Sequence, residues 1–215
     1  MSSPTVAPCS HDAARFAVMH WHYSQAMPAG KLVKHGVWED GEFVGAILYG
    51  MGANNALARP YDVVPHEACE LVRIAMRRHE APVTQVLARS LRMLRETNPG
   101  LRLVISYADP EQGHHGGVYQ AGGWLYDGVA GTTDEYVFRG KRMHGRSLRA
   151  YLTSNGLPRS EGSTLDRARR IDPDARAIKS SAKHRYLMPL DKAMRRQLRR
   201  TRELPEPPRR DEVRC

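Results

Sequence analysis

The sequence of 215 residues contains few cysteines and no long apolar run. Cys9, Cys69 and Cys215 lie far apart, form no Cys-x-x-Cys pair and are too few for a disulfide framework. Cys69 lies in an apolar run and is interpreted as a small core residue. No stretch resembles the apolar core of a signal peptide or a membrane span. These absences exclude a disulfide-rich scaffold and predict a cytoplasmic protein without a membrane partner.

Motifs that bind phosphate or metal are also missing. Neither Gly-x-Gly-x-x-Gly nor Gly-x-x-x-x-Gly-Lys-Ser/Thr is present. The paired glycines of residues 109–124, "DPEQGHHGGVYQAGGW", therefore indicate tight turns rather than a phosphate loop. His114 and His115 are adjacent, and one metal ion rarely binds both because neighbouring side chains point in different directions. We favour polar or surface roles for these histidines over a metal site.

Positive charge is concentrated in the last third of the chain. Residues 1–140 carry a net charge of −2, whereas residues 141–215 carry +12 and contain many more arginines than lysines. Such a block favours a polyanionic partner, and the planar guanidinium suits phosphate geometry. We expect this partner to be nucleic acid; the alternative is a solvated tail that only keeps the protein soluble.

The pattern of apolar residues predicts alternating helices and strands. We predict helices over residues 11–20, 82–98 and 118–121, strands over 69–76, 101–108 and 135–140, and a hairpin that turns at Asp40-Gly41. This order predicts an α/β fold with a mixed central sheet flanked by helices. We expect a catalytic domain over residues 1–145 and a basic extension over 146–215. The extension should hold an ordered island near 183–197 and a disordered tail.

The segment "YQAGGWLYDG", which follows "VISYADP", resembles the last strand–helix–strand of the GCN5-related N-acetyltransferase fold. In that fold a tyrosine on the last helix precedes a glycine–aromatic step, and it often protonates the leaving thiolate. Tyr119 and Gly123-Trp124 occupy the matching places. The resemblance implies an acetyltransferase-like sheet with Tyr119 as a candidate general acid; a half-buried helix tyrosine is the alternative.

Several longer segments, in a fixed order, resemble the Mom family of phage DNA-modification proteins. They are "HYS", "AGKLVKHGVWEDGEFVGAILYGMGANN", "CELVRIAM", "VISYADPEQGHHGGVYQAGGW" and "KHRYLMPLDKAMRRQ". The resemblance implies a transferase that converts adenine in double-stranded DNA to N6-(carbamoylmethyl)adenine. That modification shields phage DNA from restriction nucleases in the cytoplasm of the host cell.

The implied reaction must activate a weakly nucleophilic amine and stabilise an oxyanion. Asp109, at the end of a buried strand, is a candidate to orient or deprotonate that amine, and a helix N-cap is a compatible alternative. Ser106 is expected in the same crevice, with a satisfied strand hydroxyl as the alternative.

Glu70 and Arg73 lie in an otherwise apolar strand, where charges need partners. Strand alternation predicts Cys69, Leu71 and Arg73 on one face and Glu70, Val72 and Ile74 on the other. Because the corresponding strand of acetyltransferases borders the donor carbonyl, we favour a catalytic role for Glu70 or Arg73 over a structural ion pair.

Further candidates fall into two groups. Candidate substrate contacts are His22, Tyr23, Asn54, Asn55, His114 and His115; the aromatic loop could stack on a flipped base, and asparagine can read adenine. A hydrophobic cap on the core and a simple turn are the respective alternatives for the aromatic loop and the asparagines. Candidate nucleic-acid contacts are Arg89, Arg92, Lys183, Arg185, Arg195 and Arg196.

One segment departs from the acetyltransferase pattern. Acetyltransferases bind the pyrophosphate of CoA with a Gln/Arg-x-x-Gly-x-Gly/Ala loop, and the matching window here is "RRHEAP". Arg77 is in place, but Glu80 and Pro82 replace both glycines; Glu80 repels a pyrophosphate and Pro82 has no amide hydrogen. The cofactor is therefore unknown, and glycyl-tRNA and acetyl-CoA are the candidate donors.

Two rival functions remain open from the sequence. One is a conventional N-acetyltransferase acting on a small amine or a protein, which the altered loop disfavours. The other is a non-catalytic DNA-binding protein that blocks nucleases by occupancy, which would suit the basic last third. A tRNA is a second candidate partner beside DNA.

Overall fold

A computed structural model describes residues 3–52, 56–132 and 134–209. The strands are β1 (Thr5–Pro8), β2 (Leu32–Glu39), β3 (Glu42–Gly50), β4 (Ala68–Met76), β5 (Leu103–Ala108), β6 (Leu125–Val129), β7 (Asp134–Phe138), β8 (Lys141–His144), β9 (Arg176–Lys179) and β10 (His184–Pro189). The helices are α1 (His11–Trp21), α2 (Val83–Thr97), α3 (Gly117–Ala121), α4 (Gly145–Ser154), α5 (Thr164–Arg169) and α6 (Lys192–Thr201). None of the helices in this part of the chain is both long and apolar enough to cross a bilayer.

Seven strands form one central sheet in the order β1-β2-β3-β4-β5-β10-β6. β4 and β5 pair in parallel, and the other neighbouring pairs of this sheet are antiparallel. The predicted α/β fold with a mixed central sheet is therefore confirmed.

The β2–β3 hairpin turns at the predicted dipeptide. Asp40 and Gly41 have φ values of 50° and 81°. Two central residues with positive φ are typical of a type I′ turn, whose twist matches that of the flanking strands. The hairpin prediction is confirmed.

Helices cover both faces of the central sheet. α2 packs through Leu87 and Leu91 on the face that carries Ile47 and Val104. Alternation along β3 and β5 turns the intervening residues to the opposite face, where α1 covers Ala46 and Leu48 and α6 covers Leu103 and Ile105. α1 and α6 therefore share the sheet face opposite α2.

A β-bulge in β4 corrects the predicted assignment of its faces. Leu48 pairs with Arg73 and Tyr49 pairs with Leu71, so Val72 is an extra residue in the ladder. Beyond the bulge the pattern shifts by one residue, and Ile74 packs in the same cluster as Leu71. The prediction that Ile74 lies on the opposite face from Leu71 is wrong, because simple alternation assumes a regular strand.

The chain after residue 145 completes both sheets. β10 from the predicted island inserts between β5 and β6, and β9 pairs with β7 in a second sheet of order β8-β7-β9. α4 and α5 pack on this second sheet through Leu148, Leu152 and Ala168. The boundary predicted at residue 145 therefore cuts through both sheets, because strands distant in the sequence pair in space.

The tail predicted to be disordered, which is described up to residue 209, contacts α3. The Pro208 carbonyl accepts a hydrogen bond of 3.0 Å from Gln120 Nε2. Arg202 pairs with Asp127, whose side chain is 1% exposed and also accepts from Arg185 Nε at 2.6 Å and from the Tyr61 hydroxyl at 2.9 Å. Asp127 thus ties β6, β10 and the end of α6 together.

Replacing Asp127 with asparagine is expected to destabilise the fold. The neutral amide leaves two partly buried guanidinium groups without a counter-ion, which costs about 3 kcal/mol and lowers Tm by roughly 6–12 °C in a chain of this size. Thermal unfolding followed by circular dichroism measures the shift. Asp62→Asn, at an exposed left-handed position that suits asparagine, is the control and should leave Tm nearly unchanged.

Candidate active site

A cavity of about 380 Å³ opens where the two parallel strands separate. β4 and β5 pair only as far as Glu70 and Ile105, and the chain beyond lines the cavity. Its described walls are His22, Tyr23, Leu71, Val72, Arg73, Ile74, Val83, Tyr107, Ala108, Gly113, His114, His115, Gly116, Gly117, Val118 and Tyr119. Ligands of α/β sheets commonly bind in such a crevice at the strand ends.

Ser106 links two elements that line this cavity, β4 and α3. Its Oγ lies 3.1 Å from the Leu71 carbonyl oxygen and 2.8 Å from the Tyr119 hydroxyl oxygen. A serine hydroxyl has one proton, so it donates to one of these oxygens at a time. These contacts make Ser106 a satisfied strand hydroxyl that holds Tyr119, and Ser106 itself is not among the described lining residues.

Tyr119 is a protonated phenol at the cavity wall. Its side chain is 8% exposed, and its ring packs 5.0 Å from Trp124 and 5.1 Å from Tyr186. Burial raises the pKa of Tyr119 to about 12, against the opposing effect of the Ser106 hydrogen bond. The hydroxyl therefore keeps its proton at neutral pH and can donate it.

His22 is a neutral ring beside the same cavity. Burial, together with the charges of Arg73 and His114, lowers its pKa to about 4. The backbone N–H of Ser24 donates to His22 Nδ1 at 3.1 Å, which assigns the proton of the neutral ring to Nε2. In this tautomer His22 is a hydrogen-bond donor rather than a base.

Arg73 supplies a half-buried cation whose hydrogen bonds are incomplete. Its NH1 donates to the Val72 carbonyl at 2.6 Å and its NH2 to the Ala26 carbonyl at 3.5 Å. Its buried Nε has no partner among the described residues. Burial lowers the pKa of Arg73, although arginine stays protonated in proteins. The guanidinium can therefore accommodate an anionic oxygen in the cavity.

The cavity mouth is aromatic. Tyr23 is 52% exposed, and its ring lies 4.3 Å from the His22 ring and 5.8 Å from the His114 ring. The His115 carbonyl accepts from the Tyr186 hydroxyl at 2.7 Å, which holds the glycine-rich segment against β10. His22, Tyr23, His114 and His115 thus line one cavity.

Asp109 lies outside the cavity lining. It caps the short turn Pro110–Gln112 by accepting from Glu111 N at 3.1 Å, and it pairs with Lys183 Nζ at 3.0 Å. Partial burial alone would raise its pKa, but the Lys183 charge and the hydrogen bond from Ser181 hold the pKa below its usual range. These contacts confirm the capping alternative and disfavour Asp109 as a base.

Glu70 is not among the described lining residues either. A Cβ added at Gly52 would lie 2.6 Å from Glu70 Oε2, so this carboxylate rests against the chain that leaves β3. No aspartate or glutamate occurs among the described lining residues. Asn54 and Asn55, also predicted as substrate contacts, lie outside the described residues.

Sequence reasoning missed Val83 and Tyr107 in the cavity wall. Tyr107 follows Ser106 in β5, and Val83 begins α2. The position of Tyr107 at the end of a buried strand, next to a candidate residue, was a usable signal. Val83 carried no such signal, because its apolar side chain fits the helix pattern equally well.

The profile of the Mom protein family matches residues 3–208. The chain belongs to the Mom protein family. A search of curated proteins finds no relative of similar sequence.

Several solved structures resemble this Mom protein at low identity. The N-acyl amino acid synthase FeeM from uncultured soil microbes has 13% identity and a TM-score of 0.49, over 93% of this chain and 97% of that chain. The spermidine/spermine N-acetyltransferase SpeG from Vibrio cholerae has 11% identity and a TM-score of 0.48, over 90% and 96%. The aminoglycoside acetyltransferase AAC(6')-Ib, in complex with coenzyme A, has 12% identity and a TM-score of 0.47, over 94% and 100%.

The loop that would bind the CoA pyrophosphate does not fit that group in this Mom protein. The Glu39 carboxylate accepts from the backbone N–H groups of Glu80 at 3.0 Å and Ala81 at 2.7 Å. Arg77 pairs with Glu42. For metals, the described residues contain no group of three or more His, Cys, Asp or Glu side chains placed to hold an ion.

Four of the six predicted nucleic-acid contacts are engaged within the Mom protein. Arg89 donates to the Pro4 carbonyl and Arg195 to the Gly123 carbonyl, while Lys183 pairs with Asp109 and Arg185 with Asp127. Arg92 and Arg196 are exposed. These engagements could not be read from composition, since each partner is distant in the sequence or is a backbone group.

Proposed function

We propose that this chain is a transferase that converts adenine in double-stranded DNA to N6-(carbamoylmethyl)adenine and thereby protects phage DNA from restriction. The observation that carries the proposal is one cavity, where β4 and β5 separate, that is lined by both Arg73 and the Ser106-bonded Tyr119, in a member of the Mom protein family. A protonated phenol and an under-bonded cation suit the leaving group and the oxyanion of acyl transfer.

A glycyl ester of tRNA is the donor that accounts for every atom of the product. A glycyl group and a carbamoylmethyl group are isomers, whereas an acetyl group lacks the nitrogen. First, adenine N6 attacks the glycyl carbonyl carbon, the ester C–O bond breaks, and the tRNA hydroxyl leaves with a proton. Next, the glycyl amine attacks C6 and the C6–amide bond breaks, while a proton moves from the amine to the amide nitrogen. No oxidant or reductant is needed.

Different residues of the cavity donate and accept the protons in these steps. Tyr119 donates to the leaving hydroxyl oxygen, and Arg73 balances charge on the carbonyl oxygen. Since the described lining holds no carboxylate and His22 Nδ1 is occupied, His114 or His115 is the group that accepts the N6 proton. A Tyr23 ring at the mouth offers a stacking surface for an adenine turned out of the duplex.

The basic face of α6 is the surface we propose for the DNA backbone. Lys192, Arg196, Arg199 and Arg200 are exposed and recur at helical spacing, and α6 contains no acidic residue. None of these four forms an ion pair within the described chain. α6 shares its sheet face with α1, which leads into His22 and Tyr23 at the cavity.

Removing two charges from α6 is expected to weaken DNA binding and flatten its salt dependence. The double variant Arg196→Gln/Arg200→Gln should reduce the slope of log K against log salt by about 1.8, with a roughly 10- to 100-fold loss of affinity. Fluorescence anisotropy on a DNA duplex measures both. Arg92→Gln/Arg95→Gln on α2 removes the same charge from the opposite sheet face and should change little. Equal losses in both variants would place the DNA elsewhere.

The proposed activity is tested by nucleoside mass spectrometry. Purified protein and duplex DNA are incubated with glycyl-tRNA or with acetyl-CoA, and N6-(carbamoylmethyl)adenine is quantified. We expect product with glycyl-tRNA only. Acetyl transfer to amines without DNA modification would favour a conventional N-acetyltransferase. Protection of DNA without any altered nucleoside would favour blocking by occupancy.

A further inference from the structure

The carboxylate of Glu39 is built into the loop between β4 and α2. Glu39 ends β2, is 8% exposed, and accepts from two successive backbone N–H groups, those of Glu80 and Ala81. Paired amides before a helix are a typical anion-binding arrangement. The hydrogen bond from Glu80 has the larger effect on the pKa of Glu39, and the one from Ala81 has the next largest. Together they hold this pKa below its usual range, so the carboxylate stays an anion.

The surroundings of this loop disfavour any second anion. The groove beside it is lined by four carboxylates, Glu39, Asp40, Glu42 and Glu80, against two arginines, Arg77 and Arg78. Arg77 is paired with Glu42. Pro82, the next residue along, has no N–H to offer. An incoming pyrophosphate would have to displace Glu39 and then bind in an acidic groove.

We propose that Glu39 is an internal anion that permanently occupies the position of the CoA pyrophosphate, so that this chain does not bind CoA there. The Glu39 side chain orders the loop before α2, as a bound cofactor would, because it links the start of α2 to the β2–β3 hairpin. The donor must then be carried by something other than CoA. That last step alone rests on the proposed function; the occupancy of the loop does not.

The test compares two variants that remove one negative charge from the same groove. Glu39→Ala frees the two amides, whereas Glu42→Ala removes an exposed carboxylate and leaves them bonded. Thermal unfolding is followed with and without inorganic pyrophosphate or CoA, and CoA is also titrated by calorimetry. Wild-type protein and Glu42→Ala should give equal, small responses from non-specific binding to the basic surface.

Glu39→Ala is expected to lose stability alone and to regain it with the anion. At about ten times Kd, pyrophosphate should raise its Tm by roughly 3–6 °C more than that of Glu42→Ala. Glu39→Gln, which keeps the shape and one acceptor, serves if Glu39→Ala does not fold, and should show a smaller gain.

Two results would overturn the inference. One is saturable binding of CoA to the wild-type protein with Kd well below about 1 mM, in the range typical of a cofactor. The other is an equal pyrophosphate response in Glu39→Ala and Glu42→Ala, since the freed amides would then not be an anion site. Both readouts are independent of DNA modification, so a missing nucleoside product would count against the proposed function alone.

Discussion

Replacing Tyr119 with phenylalanine is expected to abolish DNA modification while the fold persists. Loss of a general acid typically slows a reaction about 10²- to 10⁴-fold. The ring contacts with Trp124 and Tyr186 remain, and Ser106 keeps the Leu71 carbonyl as its partner. The stability cost should therefore be about 1 kcal/mol or less. The measurement is the yield of modified adenine, with Tm and DNA affinity recorded on the same sample.

Tyr126→Phe is the matched control for this change. Tyr126 also packs on Tyr186, and its hydroxyl lies 2.9 Å from His184 Nδ1, outside the cavity lining. It should modify DNA at nearly the wild-type rate. Because the pKa of Tyr119 is raised to about 12, its hydroxyl should stay protonated between pH 6 and 9. The rate of the wild-type protein should therefore not fall in this pH range through deprotonation of Tyr119. A Tyr119→Phe rate within about threefold of wild type would reduce Tyr119 to a structural residue.

Local signals in the sequence were sufficient for the elements that depend on neighbouring residues. Asp40-Gly41 predicts its hairpin because a type I′ turn needs two residues that accept positive φ. The apolar face of α2 follows from helical spacing alone. Tyr119 was identified through the strand–helix–strand pattern around it, and it does line the cavity.

Features that depend on distant contacts were not predictable in the same way. β10 enters the sheet by pairing His184 with Ala108. The sequence around either residue contains no signal that predicts this pairing. The same distance hides the Asp109–Lys183 pair, which turns a candidate base into a capped, ion-paired carboxylate. The bulge at Val72 cannot be predicted from the composition of β4, yet it changes which β4 residues share a face of the sheet. The roles of the candidate site residues could therefore be distinguished only once their distant contacts in the fold were known.

Substituting Gly116 with alanine is expected to disable the site by displacing one wall of the cavity. A Cβ at this position would lie 2.2 Å from Tyr186 Cε2, and the backbone φ of +82° is unfavourable for any L side chain. Tyr186 is fully buried and holds the His115 carbonyl, so it cannot yield without moving the segment that carries both histidines. We expect a loss of modification of at least about 100-fold, as for a misplaced catalytic group, and a Tm lower by several degrees.

Gly113→Ala separates the steric effect from the backbone effect. Gly113 lies in the same loop with a φ of +68°, but a Cβ there meets no atom within 4 Å. It should cost only about 1 kcal/mol of stability, the usual penalty for alanine in the left-handed region, and leave most of the activity. Nucleoside mass spectrometry and thermal unfolding on both variants decide between the causes. Equal losses in the two variants would mean that loop conformation alone, and not the contact with Tyr186, positions His114 and His115.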